Sequence, residues 1–264
     1  EQRLAMAFGC AHGGRPTDPM RPLMLTEHFY RLHQEDAAEL LISHMLNTDV
    51  CPRLAPILTT LGAETLRCAR CGHPRDPTQT QYHSFQMPIE VENTDGAEAQ
   101  PLRDVQTALD AYLADEAVTY ELACKACRDH GCTTSHEYNK EFHATAFPPV
   151  LVLTLKRFKY VKLPDGTYAG PHGINHPVEA TQVLSFQGQL YDLRSTIVHV
   201  GRSIHAGHYF TVARHAADTG TWWLYNDAWR RAATPEQVSA VGIWPSSNEH
   251  MKSYVLFYEK RAAQ

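Results

Sequence analysis

Ala206-Gly207-His208-Tyr209-Phe210-Thr211-Val212-Ala213-Arg214-His215 is followed by the turn-forming Ala216-Ala217-Asp218-Thr219-Gly220. After that comes Trp222-Trp223-Leu224-Tyr225-Asn226-Asp227. Two runs rich in aromatic and β-branched residues around such a break read as a β-hairpin. With the tip centred on 217 or 218, His208 lies opposite Asn226 or one diagonal step from it. An even offset keeps both side chains on one face of a pleated strand. Directly opposed Cβ atoms are about 5 Å apart, close enough for a carboxamide to orient an imidazole. Such a partner fixes the tautomer and leaves the other ring nitrogen to take a nucleophile's proton. A lone histidine on a strand is ordinarily structural; the pairing with Asn226 singles this one out.

Working outward, Val150-Leu-Val-Leu-Thr-Leu-Lys-Arg-Phe158 is apolar on both alternating sets of positions, as in a strand buried on both sides. Segments 190–200, 208–215, 222–226 and 254–259 are further strands. Gly and Asp turns divide several of them, which predicts a largely antiparallel sheet. Upstream, residues 34–46 read as an amphipathic helix with Ala37, Leu40, Leu41 and Met45 on one side. Residues 101–113 read as a second helix, with Leu102, Val105, Leu109, Tyr112 and Leu113 at helical spacing and Pro101 in its first turn. Turn formers around Gly72-His73-Pro74 and Asn93-Thr94-Asp95-Gly96 separate the two, with short strands such as 85–91 among them. Thr234-Pro235-Glu236-Gln237 is a good helix start, and the closing Arg261-Ala-Ala-Gln264 reads as a frayed end.

Cys68-Ala-Arg-Cys71 and Cys124-Lys-Ala-Cys127 form a paired Cys-x-x-Cys pattern. A two-residue gap lets both sulfurs of a knuckle reach one ion, and two knuckles complete the tetrathiolate set of a structural zinc site. Neither pair opens a strand–helix unit of redox type. The separation between the pairs requires an insertion to fold between them. Cys132, His73 and His130 are nearby polar residues that rank below these four as ligands.

Composition excludes several classes. The net charge of −5 over 264 residues gives no basic surface for nucleic acid. The longest apolar run, residues 150–155, is too short to span a bilayer. Seven cysteines, four of them in knuckles, suit a reducing compartment, hence an intracellular protein of cytoplasm or nucleus. The chain opens at Glu1 without a charged-then-apolar leader and is expected to be a fragment of something longer.

Several of these blocks, in order, resemble the ubiquitin-specific proteases. They are Gln34-Glu-Asp36-Ala-Ala-Glu-Leu40, the two cysteine knuckles, and Phe147-Pro-Pro-Val-Leu151 running into Leu155-Lys-Arg-Phe158. Tyr191-Asp-Leu-Arg194, His199-Val-Gly201, Gly207-His208-Tyr209, residues 223–227 and Tyr254-Val-Leu-Phe-Tyr258 follow. The resemblance implies an α+β, papain-like fold of thumb, palm and fingers over residues 1–264, with zinc-bearing fingers inserted at about 64–145. It implies a cysteine-type deubiquitinase acting after the C-terminal glycine of ubiquitin, with ubiquitin and ubiquitinated proteins as partners and neither nucleic acid nor membrane. His208 would be the general base, Asn226 its orienter and Asp227 a supporting acid. Asp36 would meet the basic ubiquitin tail, with Gln34 and Tyr209 beside it. A bland reading of Asp36, an acidic residue at a helix N-terminus, is compatible with that role.

One block of the family is not matched. Its members open with Gly-Asn-Thr-Cys-Tyr, whose cysteine attacks the substrate. Cys10 has no upstream asparagine and lies too near the Gln34 block; Cys51 and Cys132 stand in other blocks. The expectation is a chain that lacks the N-terminal part of the thumb, is inactive alone, and is poorly soluble through exposed apolar surface. The alternatives are a non-catalytic ubiquitin-binding scaffold of the same descent and a protease for another ubiquitin-like protein.

Overall fold

The strand Val150–Leu155 stands between two separate hydrophobic cores. Its residues Leu151, Leu153 and Leu155 join a large cluster with Phe85, Val105, Phe186 and Tyr258. Val152, pointing the other way, joins a smaller one with Ala38, Leu41, Leu58, Tyr254 and Val255. Period-2 alternation therefore serves a different core at every step, which is why the run carries no polar face. Each such leucine contributes about 1.5–3 kcal/mol of burial.

The computed structural model describes residues 36–39, 41, 54–91, 99–121, 124–131, 136–163, 165–203, 206–214, 221–233 and 251–262. The first half comprises α1 (Ala37–Glu39), α2 (Ala55–Leu58), β1 (Thr60–Cys68), β2 (Thr78–Tyr82), β3 (Phe85–Met87), β4 (Glu90–Val91), β5 (Gln100–Pro101), α3 (Val105–Leu113), β6 (Glu116–Tyr120), α4 (Lys125–Asp129) and β7 (His136–Ala146). The second half is strands: β8 (Val150–Leu155), β9 (Phe158–Lys162), β10 (Tyr168–Gly173), β11 (Val183–Phe186), β12 (Gln189–Ser203), β13 (Ala206–Arg214), β14 (Trp222–Asn226), β15 (Trp229–Ala233) and β16 (Met251–Lys260).

The principal sheet runs β15-β14-β13-β12-β16-β8-β3, with β11 added on β12. It is antiparallel except where β3 lies parallel to β8. A second sheet runs β2-β1-β7-β6, with its Tyr82 and Phe142 packed against the large core, and β9–β10 and β4–β5 are two-stranded ribbons. The fold is thus α+β, dominated by strands.

Three expectations need correction. The helix expected over 101–113 begins at Val105, because Pro101 is spent in β5 opposite Glu90. Asp104 makes the start: its Oδ1 accepts from Thr107 N at 2.8 Å, an N-cap that satisfies an otherwise orphan donor. The strand expected over 85–91 is interrupted at Pro88, so β3 joins the principal sheet and β4 a ribbon. Arg261 is not frayed: its backbone N–H donates to Leu190 O, and its guanidinium grips both oxygens of Asp192 at 2.9 and 2.6 Å. In α1 the buried residue is Ala38, with Ala37 only partly covered. Leu40, Met45 and the helix start at Thr234 lie outside the described residues.

Candidate active site and metal centre

β13 and β14 pair as Thr211↔Tyr225, Val212↔Leu224, Ala213↔Trp223 and Arg214↔Trp222. This register centres the hairpin on 218 and, one pair further, sets Asn226 opposite Phe210. His208 is therefore one diagonal step from Asn226 on the same face. Their side chains meet, with His208 Nε2 2.5 Å from Asn226 Oδ1. A carboxamide oxygen can only accept, so Nε2 carries the proton and Nδ1 keeps its lone pair. Phe210, Val212, Trp222 and Leu224, which share that face, are buried in the large core. The site is where this core-facing side of the sheet emerges, leaving the His208 side chain 45% exposed.

Asp227 follows in the two-residue turn between Asn226 and Trp229. Its φ of 50° is left-handed, a conformation that aspartate tolerates better than most residues. The turn brings Asp227 Oδ2 to 3.9 Å from His208 Nε2, with the carboxylate 77% exposed. It lies at ion-pair range rather than hydrogen-bonding range.

Tyr209 projects from the opposite face. Its ring stacks on Tyr254 at 6.2 Å, and the Tyr254 hydroxyl donates to Asp36 Oδ2 at 2.5 Å. Burial pushes the Tyr209 phenol up to about 12, with the Asp36 charge adding to it. Asp36 Oδ1 meanwhile accepts from the N–H groups of Ala38 and Glu39 at 2.7 and 3.0 Å, capping α1. One carboxylate thus anchors the helix and bridges to the sheet. Gln34 lies outside the described residues.

The four knuckle cysteines converge at the far end of the second sheet. Cys68 closes β1 and Cys124 caps α4, its sulfur accepting from Cys127 N at 3.3 Å. Gly72, at φ 69°, turns the first knuckle back so that its N–H donates to Cys68 O. The four sulfurs all lie within 4.8 Å of one another, and those of Cys71 and Cys124 are 3.4 Å apart. Zinc–sulfur bonds of about 2.3 Å in a tetrahedron place sulfurs about 3.8 Å apart, so the set fits a zinc ion. Such an ion would be structural, tying β1 to α4. His73 and His130 stand outside the cluster, and Cys132 outside the described residues. The intervening chain does more than bridge the knuckles: Phe85, Met87, Val105 and Leu109 within it belong to the large core.

The sequence pattern of the family UCH, ubiquitin carboxyl-terminal hydrolase, matches residues 22–258. The chain belongs to this family. It is 25% identical over 280 residues to ubiquitin carboxyl-terminal hydrolase 17-like protein D of Mus musculus, covering 98% of this chain and 45% of that protein. Against ubiquitin carboxyl-terminal hydrolase 35 of Homo sapiens it is 30% identical over 192 residues, covering 64% of this chain and 17% of that one. It therefore spans less than half the length of these relatives. Among solved structures it resembles a SAGA DUB module bound to monoubiquitin, with a TM-score of 0.66 at 19% identity, covering 88% of this chain and 50% of the other. A SAGA Ubp8/Sgf11/Sus1/Sgf73 DUB module bound to ubiquitin aldehyde gives a TM-score of 0.65 at 18% identity, with the same coverage. These likenesses establish the deubiquitinase fold. Among the described residues no helix is long and apolar enough to cross a membrane.

Within this member of the hydrolase family, sequence reasoning met Tyr254, His199 and Arg157 only as parts of larger blocks, gave them no role, and passed over Lys252. Tyr254 carries the link to Asp36. His199 sits on β12, beside the strand that bears His208 and paired with Tyr209. Lys252, 3% exposed, donates to Asn175 Oδ1 and Gly201 O. Arg157 donates to Ser253 O and His176 O, and burial pushes it down to about 10. The available signal was a charged residue breaking an apolar strand, as Lys252 does before Ser253-Tyr254-Val255.

Proposed function

We propose that the chain carries the proton-handling half of a thiol-dependent deubiquitinase site, with His208 as general base and Asn226 as its orienter. The observation that carries this reading is the 2.5 Å contact from His208 Nε2 to Asn226 Oδ1. With Nε2 committed, Nδ1 takes the proton of an attacking thiol, and the thiolate adds to the carbonyl carbon of ubiquitin's C-terminal glycine. Nδ1 then returns that proton to the leaving lysine amine, and a water molecule hydrolyses the thioester. Asn226 and the more distant Asp227 stabilise the transient imidazolium.

Asp36, Tyr209 and Gln34 are proposed to meet the basic ubiquitin tail, and the cysteine-bearing second sheet to act as the fingers of one domain spanning 1–264. The ubiquitin-bound state of the fold neighbours supports ubiquitin as the partner, with ubiquitinated proteins as substrates. Retention of His208, Asn226 and Asp227 favours an enzyme over a non-catalytic scaffold.

The chain as given is proposed to lack the thiol. Four of its seven cysteines converge at the metal centre, and Cys10, Cys51 and Cys132 stand in contexts unlike that of a nucleophile. Incubation with ubiquitin bearing a cysteine-reactive C-terminal group tests this. No adduct is expected; a covalent adduct on any cysteine of this chain would refute the assignment and identify the thiol by mass spectrometry.

A further inference from the structure

His199 is 3% exposed in the middle of three strands, paired with Tyr209 on β13 and with Lys252 on β16. Its ring packs at 4.9 Å from that of Tyr209 and edge-on to Phe158 at 6.3 Å. Burial holds it below the usual imidazole range, with Lys252 acting in the same direction and Asp36 opposing. Among the described residues its Nε2 has no hydrogen-bond partner. A buried, unpaired ring nitrogen is unfavourable, and in a native structure it calls for an explanation.

That nitrogen faces Gly207, the residue immediately before His208. A Cβ built on Gly207 would lie 2.3 Å from His199 Nε2 and 2.6 Å from Val200 O. Real Cβ atoms never approach so closely, so the backbone that leads into His208 rests on the imidazole and only glycine can occupy the position. Asn226, on the neighbouring strand, is fixed independently by the ladder with β15. The reach of His208 toward Asn226 therefore depends on how high the Gly207 backbone sits.

We propose that His199 is a positioning residue for His208, its ring setting the height of Gly207 and thereby the contact between His208 and Asn226. This rests on the reading of His208 and Asn226 as a functional pair. Packing here is direct, ring against backbone, and a close-packed interior of low compressibility transmits a displacement at the ring to Gly207. A residue that only filled the core would affect stability and leave the His208 environment unaltered.

The test is nuclear magnetic resonance of the chain with isotope-labelled histidine, reading the exchange of the His208 Nε2–H proton with water, with His208 identified from a His208→Gln sample. Asn226→Ala is expected to speed that exchange by about tenfold, since it removes the acceptor that holds the proton. His199→Ala is expected to reproduce most of that change. His199→Gln, which retains the reach to Gly207, is expected to keep the exchange near the wild-type rate. Should the alanine variant not fold, His199→Asn makes a smaller truncation with the same readout. A His199 truncation that melts earlier but leaves the His208 exchange unaltered would overturn the proposal. If instead Asn226→Ala itself produces no change, the pair is at fault rather than the role of His199.

Discussion

His208 and Asn226 sit on adjacent strands one diagonal step apart, and the imidazole Nε2 meets the carboxamide oxygen at 2.5 Å. Because Asp227 stands farther off, at 3.9 Å, and is largely solvated, the two acceptors should differ in weight. In a form of the protein that carries the attacking cysteine, Asn226→Ala is expected to lower kcat for a ubiquitin C-terminal fluorogenic amide about a hundredfold with little change in KM. Asp227→Asn should cost about tenfold or less. Equal losses, or a loss confined to KM, would contradict the ranking.

Asp36 has two separable duties, because its two oxygens have different partners. Asp36→Ala should destabilise the chain by about 1 kcal/mol through loss of the cap. Asp36→Asn, itself a good capping residue, should retain most of that stability while weakening ubiquitin binding, measured by calorimetry. An asparagine variant that binds ubiquitin as tightly as the wild type would remove the tail-recognition role.

The cysteine tetrad should hold one zinc ion per chain by elemental analysis. Cys127→Ser, or chelation, should increase hydrogen exchange at the ends of β1 and in α4 while the large core stays protected. The separation follows from geometry, since Cys68, Cys124 and Cys127 pack with Tyr138, Leu66 and Val118 in a cluster of their own. Uniform loss of protection across β8 and β16 would show that the metal supports the whole fold.

Lys252 makes stability depend on pH. Burial, with the nearby Arg157 guanidinium adding to it, pushes its ammonium down to about 8, against 10.5 in the open chain. Between those values the unfolded chain binds more protons than the native one, so stability from this group rises with pH. Below 8 both states are protonated and the group contributes no slope. Relative to Lys252→Met, the wild type should gain up to about 1.4 kcal/mol per pH unit between pH 8 and 10, read from urea unfolding. A constant difference across that range would contradict the assignment.

What the sequence revealed was whatever a local period could carry. The doubly apolar run at 150–155 specified a strand between two cores, and the Cys-x-x-Cys spacing specified the sulfur cluster. The His208–Asn226 contact was legible as strand parity around a turn. Partners set by distant segments were not legible. Pro101 reads as a helix start until Glu90 is found opposite it, and Arg261 reads as a loose end until Asp192 is found 69 residues away. His199 and Lys252 face each other across β12 and β16, and no spacing along the chain records that pairing. The unmatched helix start at 101 also shows how propensity yields to tertiary pairing when a cap such as Asp104 is available a few residues on.

The most direct test of the account is hydrolysis of a ubiquitin C-terminal amide by a form of the protein that carries the attacking cysteine, comparing its parent with His208→Ala. The account predicts that the substitution lowers kcat by about a thousandfold or more while ubiquitin still binds. Turnover that survives without the His208 imidazole, or a cysteine-bearing parent that binds ubiquitin and never cleaves it, would contradict the assignment of His208 as the base.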